Sequence, residues 1–127
     1  MNNPQPIDPR HYSVRPEWIW TKDNENLTKT ASLVVNLKHH KIGYLQQQFE
    51  QWLQKLSATK LKTAEYAYGG CGFKILAQSD TEIQLILFSA GQDALESLDE
   101  LVQNLYSEII LHDPAIEVLW KELPLQS

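Results

Sequence analysis

Cysteine and long apolar runs are both scarce in this sequence. The single cysteine cannot form an internal disulfide, so nothing indicates an oxidising compartment. The longest apolar runs, such as LILF, are far shorter than the roughly 18 residues of a membrane span. The amino-terminal stretch lacks the apolar segment that a signal peptide carries. We therefore expect a cytoplasmic protein with no membrane partner.

Basic residues are also in the minority. The chain has 11 Lys and Arg against 16 Asp and Glu, which gives a formal net charge of −5. Sequence-independent binding of DNA or RNA relies on clustered Lys and Arg, so we expect no nucleic-acid partner. A mild negative charge suits a protein partner with a basic surface.

The chain length fits one domain preceded by an arm. With 127 residues, 43% of them hydrophobic, it can bury a core without a metal ion or a disulfide. Four prolines fall among the first sixteen residues, which predicts an extended arm over residues 1–29. Trp18 and Trp20 in this arm favour packing on the domain, because tryptophan is seldom left in solvent. Residues 30–123 then form a single α+β domain.

Hydrophobic periodicity divides that domain into six elements. Residues 31–37 are apolar on both faces, as in a buried strand, and residues 73–78 and 83–88 predict a hairpin. Residues 115–120 alternate as in a half-buried strand. Two amphipathic helices are predicted from apolar stripes at helical spacing: Leu45, Phe49, Trp52, Leu53 and Leu56 in the first, and Leu95, Leu98, Leu101, Val102, Leu105, Tyr106 and Ile109 in the second.

The resulting order, β-α-β-β-α-β, is the pattern of the ferredoxin-like split βαβ sandwich. That fold has an antiparallel sheet in the order 4-1-3-2 and two helices on one face. Strands 1 and 3 would be central, and they are the two most continuously apolar strands. The other face needs a cover, because so large an apolar patch is rarely left bare. The arm with Trp18 and Trp20 is the favoured cover, a face-to-face homodimer comes next, and pairing of residues 17–22 with strand 1 would break the predicted order.

The only cysteine lies in the glycine-rich stretch YGGCG. To act as a nucleophile, Cys71 would need a base beside it. The predicted topology puts His39, His40 and His112 at the opposite end of the sheet, roughly 20 Å away, and leaves only His11 within possible reach. We therefore predict a structural role for Cys71.

The same stretch does not predict a phosphate or metal site. Gly-rich phosphate-binding loops precede the N-terminus of a helix, whereas this stretch precedes a strand. It therefore predicts a bend at the start of an edge strand. His39 and His40 are adjacent, and adjacent side chains of an extended chain point to opposite faces. We predict no metal and no cofactor.

The second helix carries five acids, Asp93, Glu96, Asp99, Glu100 and Glu108, and no Lys or Arg. Such a helix could steer a basic partner towards it. Tyr66 and Tyr68 beside the glycines could form a binding lip, although they could equally be the margin of the core. The candidate partner-binding residues are Asp93, Glu96, Asp99, Glu100, Tyr66, Tyr68, Trp18 and Trp20.

These observations favour a non-enzymatic protein-binding module, such as an inhibitor or an immunity-type protein that caps a basic partner. The alternative is a small-molecule-binding ferredoxin-like domain or a modest enzyme, with its pocket between sheet and arm. A homodimer with a structural role is a third class. The sequence is compatible with a monomer or a homodimer.

Overall fold

The computed structural model of the chain describes residues 10–12, 30–68, 71–90 and 94–123. They form an α+β unit in which six strands make one antiparallel sheet and two helices pack on one of its faces. The strands are β1 (Thr30–Lys38), β2 (Thr59–Lys62), β3 (Glu65–Tyr68), β4 (Cys71–Gln78), β5 (Glu82–Ala90) and β6 (Glu117–Glu122). The helices are α1 (Tyr44–Leu56) and α2 (Ala94–Leu105), and a π-helical turn, Tyr106–Ile110, continues α2.

The sheet order is β2-β3-β4-β5-β1-β6, which differs from the four-stranded order predicted because the sheet contains two further strands, β2 and β3. The hairpin of β2 and β3 lies between α1 and β4 in sequence and extends the sheet beyond β4. All four residues of β2 are exposed, so this strand has no apolar alternation that could have revealed it. Because β3 pairs with β4, the prediction that the glycine-rich stretch enters an edge strand is wrong.

The core lies between the helices and the face of the sheet that they cover. Cross-strand partners on β1 and β5, such as Leu33 with Leu87 and Val35 with Leu85, are completely buried there. Phe73 of β4 contacts both Phe49 and Trp52 of α1. The Trp52 indole N–H also donates a hydrogen bond to the Asn104 side chain (2.7 Å), which joins α1 to α2.

The side of the sheet opposite the helices, here the second face, is unevenly covered. Val34, Ile86 and Phe88 are half-buried on it, and Ser32 is only 6% exposed. Leu119 of β6, on the same face, is 69% exposed. Burial therefore increases from β6 towards the end of β1 that carries Ser32.

The described part of the amino-terminal arm lies on the helix face, beside β6. Tyr12 stacks on Trp120 with 5.4 Å between ring centroids, and the Gln103 amide donates to the Tyr12 carbonyl (3.1 Å). The Arg10 guanidinium donates to the carbonyls of Asp113 (2.7 Å) and Ile116 (3.1 Å). The arm thus packs on the domain through residues 10–12. The predicted cover of the second face, Trp18 and Trp20, lies outside the described residues.

No helix in the described part of the chain is both long enough and apolar enough to cross a membrane.

Candidate functional site

Cys71 is buried, and its thiol is hydrogen-bonded. Its thiol donates a hydrogen bond to the Tyr68 carbonyl (3.0 Å), and the residue is 9% exposed. Burial, with a smaller contribution from the negative charge of Glu100, raises the pKa of the thiol to about 11. The strand register places Cys71 level with Ala31, whereas His39 follows the opposite end of β1, about 25 Å away. The predicted separation from His39 is confirmed.

We expect the native Cys71 thiol to react with iodoacetamide at pH 8 at least about 100-fold more slowly than in the denatured chain. A pKa of about 11 instead of 9.0 lowers the thiolate fraction about 100-fold at that pH. Mass spectrometry of timed samples, with and without denaturant, measures both rates. Equal rates would show that the thiol is accessible and ionised.

Close packing explains why a glycine follows Cys71. A Cβ atom on Gly72 would lie 2.8 Å from Cε2 of Phe88 and 3.0 Å from the Tyr66 carbonyl oxygen. Gly72 and Phe88 are register partners on the second face, so the absent side chain makes room for the phenyl ring. The chain continues into β4 and not into a helix, so this glycine serves strand packing and not phosphate binding.

Tyr66 and Tyr68 belong to the margin of the core. Tyr66 is the register partner of Phe73 and stacks on its ring with centroids 5.2 Å apart and planes at 16°. Both tyrosines are half-buried and pack against the buried cluster. Of the two interpretations of these tyrosines, the contacts favour the core. A binding role is limited to their remaining exposed surface.

A polar cluster formed by His39, Asp113 and Tyr44 lies at the other end of the sheet. His39 is 5% exposed, and its Nδ1 accepts a hydrogen bond from the Lys41 backbone N–H (3.0 Å). That bond requires an unprotonated Nδ1, so Nε2 carries the proton and donates to Oδ2 of Asp113 (2.9 Å). Both ring nitrogens are engaged, and neither is available as a general base.

The expectation that His39 and His40 point apart is wrong. Both residues lie beyond the end of β1, where the chain turns, and their rings stack with centroids 4.5 Å apart. Tyr44 stacks on His39 at 4.2 Å. Within the described ranges, no three His, Cys, Asp or Glu side chains are grouped so that they could hold a metal ion.

Asp113 joins the polar cluster to the start of β6. Its Oδ1 accepts the Ala115 backbone N–H (2.9 Å), and this bond is the main reason that the pKa of the carboxyl lies below its usual value. Partial burial opposes the shift, while hydrogen bonds from Tyr44 and His39 reinforce it. The pKa of Tyr44 is raised, first by burial and then by Asp113. The cluster therefore connects the end of β1, the start of α1 and the segment before β6, which indicates a structural role.

The described acids of α2 and the π-helical turn point in different directions. Asp99 accepts a hydrogen bond from Gln103 (3.3 Å), which in turn holds residues 10–12. Glu108 pairs with Lys55 of α1 at 3.4 Å. Glu100 is exposed and, among the described residues, forms no ion pair. Asp93, like Trp18 and Trp20, lies outside the described residues, as does the side chain of Glu96.

A shallow groove on the second face was not foreseen from the sequence. Its volume is about 270 Å³, and it runs along β1 and β6 between Asn36, Lys38, Glu117, Val118 and Leu119. Oδ1 of Asn36 is buried and, among the residues that the structure describes, has no hydrogen-bond partner. The pairing of β1 with β6 brings these residues together; the predicted order already placed these two strands side by side, but no pattern within either strand indicated a groove.

Cys71 and His39, the two buried side chains considered above as reactive groups, are thus both engaged in hydrogen bonds. Glu100 on α2 and the groove along β6 are the two surface features that remain as candidates. The chain matches no protein-family model, no curated protein and no solved structure.

Proposed function

We propose that the protein is a non-enzymatic binding module that docks a basic protein partner on the outer surface of α2. The observation that carries this proposal is Glu100, an exposed acid on a helix that contains no Lys or Arg. The engagement of Cys71 and His39 in buried hydrogen bonds supports it, because the two side chains best suited to catalysis are occupied.

The partner would be recognised by complementary charge. The negative charge of Glu100 contributes to the raised pKa of Cys71, the first residue of β4. Cys71 pairs with Tyr68 of β3, so Glu100 acts close to the half-buried tyrosines of that strand. A basic partner seated on α2 could therefore also contact the exposed part of Tyr68. Interfaces of this kind combine aromatic contacts with charges that speed association and set specificity. An inhibitor or an immunity-type protein would use such a surface to cap its target.

Reversing the charge of Glu100 is the direct test. We expect Glu100→Lys to weaken partner retention roughly tenfold, about 1.4 kcal/mol, because an attractive contact becomes repulsive. Immobilised wild-type and variant chains would be exposed to a native lysate, and the proteins retained at low and at high salt would be quantified by mass spectrometry. The affinity of each purified candidate would then be measured by titration.

Glu50→Lys is the matched control. Glu50 is exposed on α1, and its reversal changes the net charge by the same amount. A specific partner is lost with Glu100→Lys and in high salt but is retained by Glu50→Lys. Equal loss with both variants would indicate a general charge effect, and binding that resists salt and both variants would contradict docking on α2.

We also propose a specific topology for the α+β fold. β6, β1, β5 and β4 are neighbours in that order, all antiparallel, and α1 and α2 connect them as in a split βαβ unit. We propose an elaborated ferredoxin-like sandwich in which the β2–β3 hairpin is an insertion. A cytoplasmic location is part of the same proposal and is supported by the single, protonated thiol.

One observation favours small-molecule binding as the second candidate. Asn36 lines the groove, and its buried Oδ1, which has no partner within the described ranges, could accept a hydrogen bond from a ligand amine, amide or hydroxyl group. Native mass spectrometry of the purified chain would reveal a retained ligand. Its loss in Asn36→Leu, with a fold that circular dichroism shows to be intact, would support this function over the first.

A further inference from the structure

The outer strand β6 has backbone groups available for pairing. The Leu123 N–H donates to the Ser32 carbonyl (3.1 Å), and Leu33 is the register partner of Glu122. In an antiparallel pair, this pattern makes Leu33 and Glu122 a non-hydrogen-bonded pair. Alternation then points the N–H and C=O groups of Val118 and Trp120 away from β1. Among the described residues, no backbone hydrogen bond satisfies them.

The two edges of the sheet differ in how well they are protected. At the opposite edge, β2 has four residues, a register shift beside Lys60, and a second lysine at Lys62. Short length, a bulge and lysines are the features by which natural sheets prevent edge-to-edge association. β6 has six residues in regular register, and its Leu119 side chain is 69% exposed. Among the described residues, β6 therefore has neither the short length nor the register shift that protects β2.

Two copies of β6 have complementary side chains when they run antiparallel to each other. On the second face, the strand presents Glu117, Leu119 and Lys121 in succession. When two such strands pair antiparallel about Leu119, Glu117 faces Lys121 of the other copy at both ends. Leu119 meets Leu119 in the middle, in a non-hydrogen-bonded pair where side chains approach most closely. The outward groups of Val118 then meet those of Trp120 in the other copy.

The alternating direction of the backbone N–H and C=O groups allows few other registers for this pair of strands. Outward-pointing residues must face outward-pointing residues, so the twofold axis has to pass through a residue and not between two. Centring the pair on Val118 would set Glu117 against Leu119, and centring it on Trp120 would set Leu119 against Lys121. The Leu119 register is the one of these three that pairs opposite charges and buries the exposed leucine against an apolar side chain.

We propose that β6 pairs antiparallel with β6 of a second copy of this chain, centred on Leu119, so that the two sheets become one continuous sheet. Residues 10–12 contact β6 through the side chain of Trp120, whose indole N–H donates to the Arg10 carbonyl (2.9 Å) and whose rings stack on Tyr12. The surface of α2 proposed to dock a basic partner stays accessible in the dimer. The two proposals can therefore fail independently.

Charge exchange along β6 tests the register as well as the dimer. We expect the wild-type chain to show a dimer in analytical ultracentrifugation between about 1 µM and 1 mM, a range chosen because edge pairing buries less than a standard interface. Glu117→Lys and Lys121→Glu should each raise the dissociation constant about 10- to 100-fold, because each places like charges opposite one another twice. Mixing these two variants should restore association, since every charged pair between them is then attractive.

Two further chains serve as controls. Lys62→Glu makes the same charge change as Lys121→Glu on the opposite edge strand, and we expect it to dimerise like the wild type. The double variant Glu117→Lys with Lys121→Glu should also dimerise, because the pairs are exchanged and not broken. A wild-type chain that stays monomeric at about 1 mM, or a dimer that both single variants leave unchanged, would overturn the proposal.

Discussion

Replacing Trp52 with alanine is expected to lower the free energy of unfolding by about 3–5 kcal/mol, the range measured for large aromatic side chains in cores. Trp52 is 1% exposed and contacts both Phe49 and Phe73, so its removal leaves a cavity between α1 and the sheet. It also removes the hydrogen bond to Asn104 that joins the helices. Urea denaturation followed by far-ultraviolet circular dichroism measures the loss.

Trp52→Phe separates the two contributions. Phenylalanine keeps part of the ring in the core but leaves Oδ1 of Asn104 without its donor, which we expect to cost about 1–3 kcal/mol. Gln51→Ala is the exposed control on the same helix and should change stability by less than about 0.5 kcal/mol. If Trp52→Ala were no worse than this control, the packing of α1 on Phe73 would be wrong.

Removing the carboxylate of Asp113 is expected to lower the free energy of unfolding by about 1.5–3 kcal/mol, the range for hydrogen bonds to a charged group. Asp113→Ala deprives the Ala115 N–H of its acceptor and leaves the Nε2 donor of the buried His39 unpaired. Asp80→Ala changes an exposed acid in the turn before β5 and serves as the control for lost charge. Chemical denaturation at pH 7 compares the two variants.

The pH dependence supplies an independent check on Asp113. Its pKa is lower in the folded chain than in the unfolded chain, so its carboxylate adds stability that is fully present above the unfolded pKa, near 3.9. That contribution is lost as the pH falls through the folded pKa. Between about pH 4 and pH 2 the wild type should therefore lose more stability than Asp113→Ala. Parallel curves for the two proteins would show that Asp113 is not hydrogen-bonded as described.

The elements with a buried stripe could be predicted from the sequence. β1 and β5 were predicted from continuous apolar residues, and both helices from residues at helical spacing, such as Leu45, Phe49 and Trp52. Burial on one face produces such patterns because every residue on that face must be apolar. The separation of Cys71 from His39 followed from the order of the elements alone.

The hairpin of β2 and β3 could not be predicted in the same way. Every residue of β2 is exposed and every residue of β3 is half-buried, so neither strand has an apolar alternation. The hydrogen bond from His39 to Asp113 joins residues 74 positions apart. Such features depend on tertiary pairing, which leaves no local pattern. The stacking of His39 on His40 was missed because the extended chain was assumed to continue past Lys38.

The position of β1 between β5 and β6 has a consequence for folding during synthesis. β1 is synthesised before either of its partner strands. The hydrogen bonds of Arg10 to Asp113 and Ile116 can form only after more than 100 further residues have been synthesised. The ribosome therefore releases most of the chain before the centre of the sheet can close. Folding should be slow for a chain of this length, because distant contacts must form before they are stabilised. Until β6 is complete, one edge of β1 has no partner strand and could be bound by a chaperone.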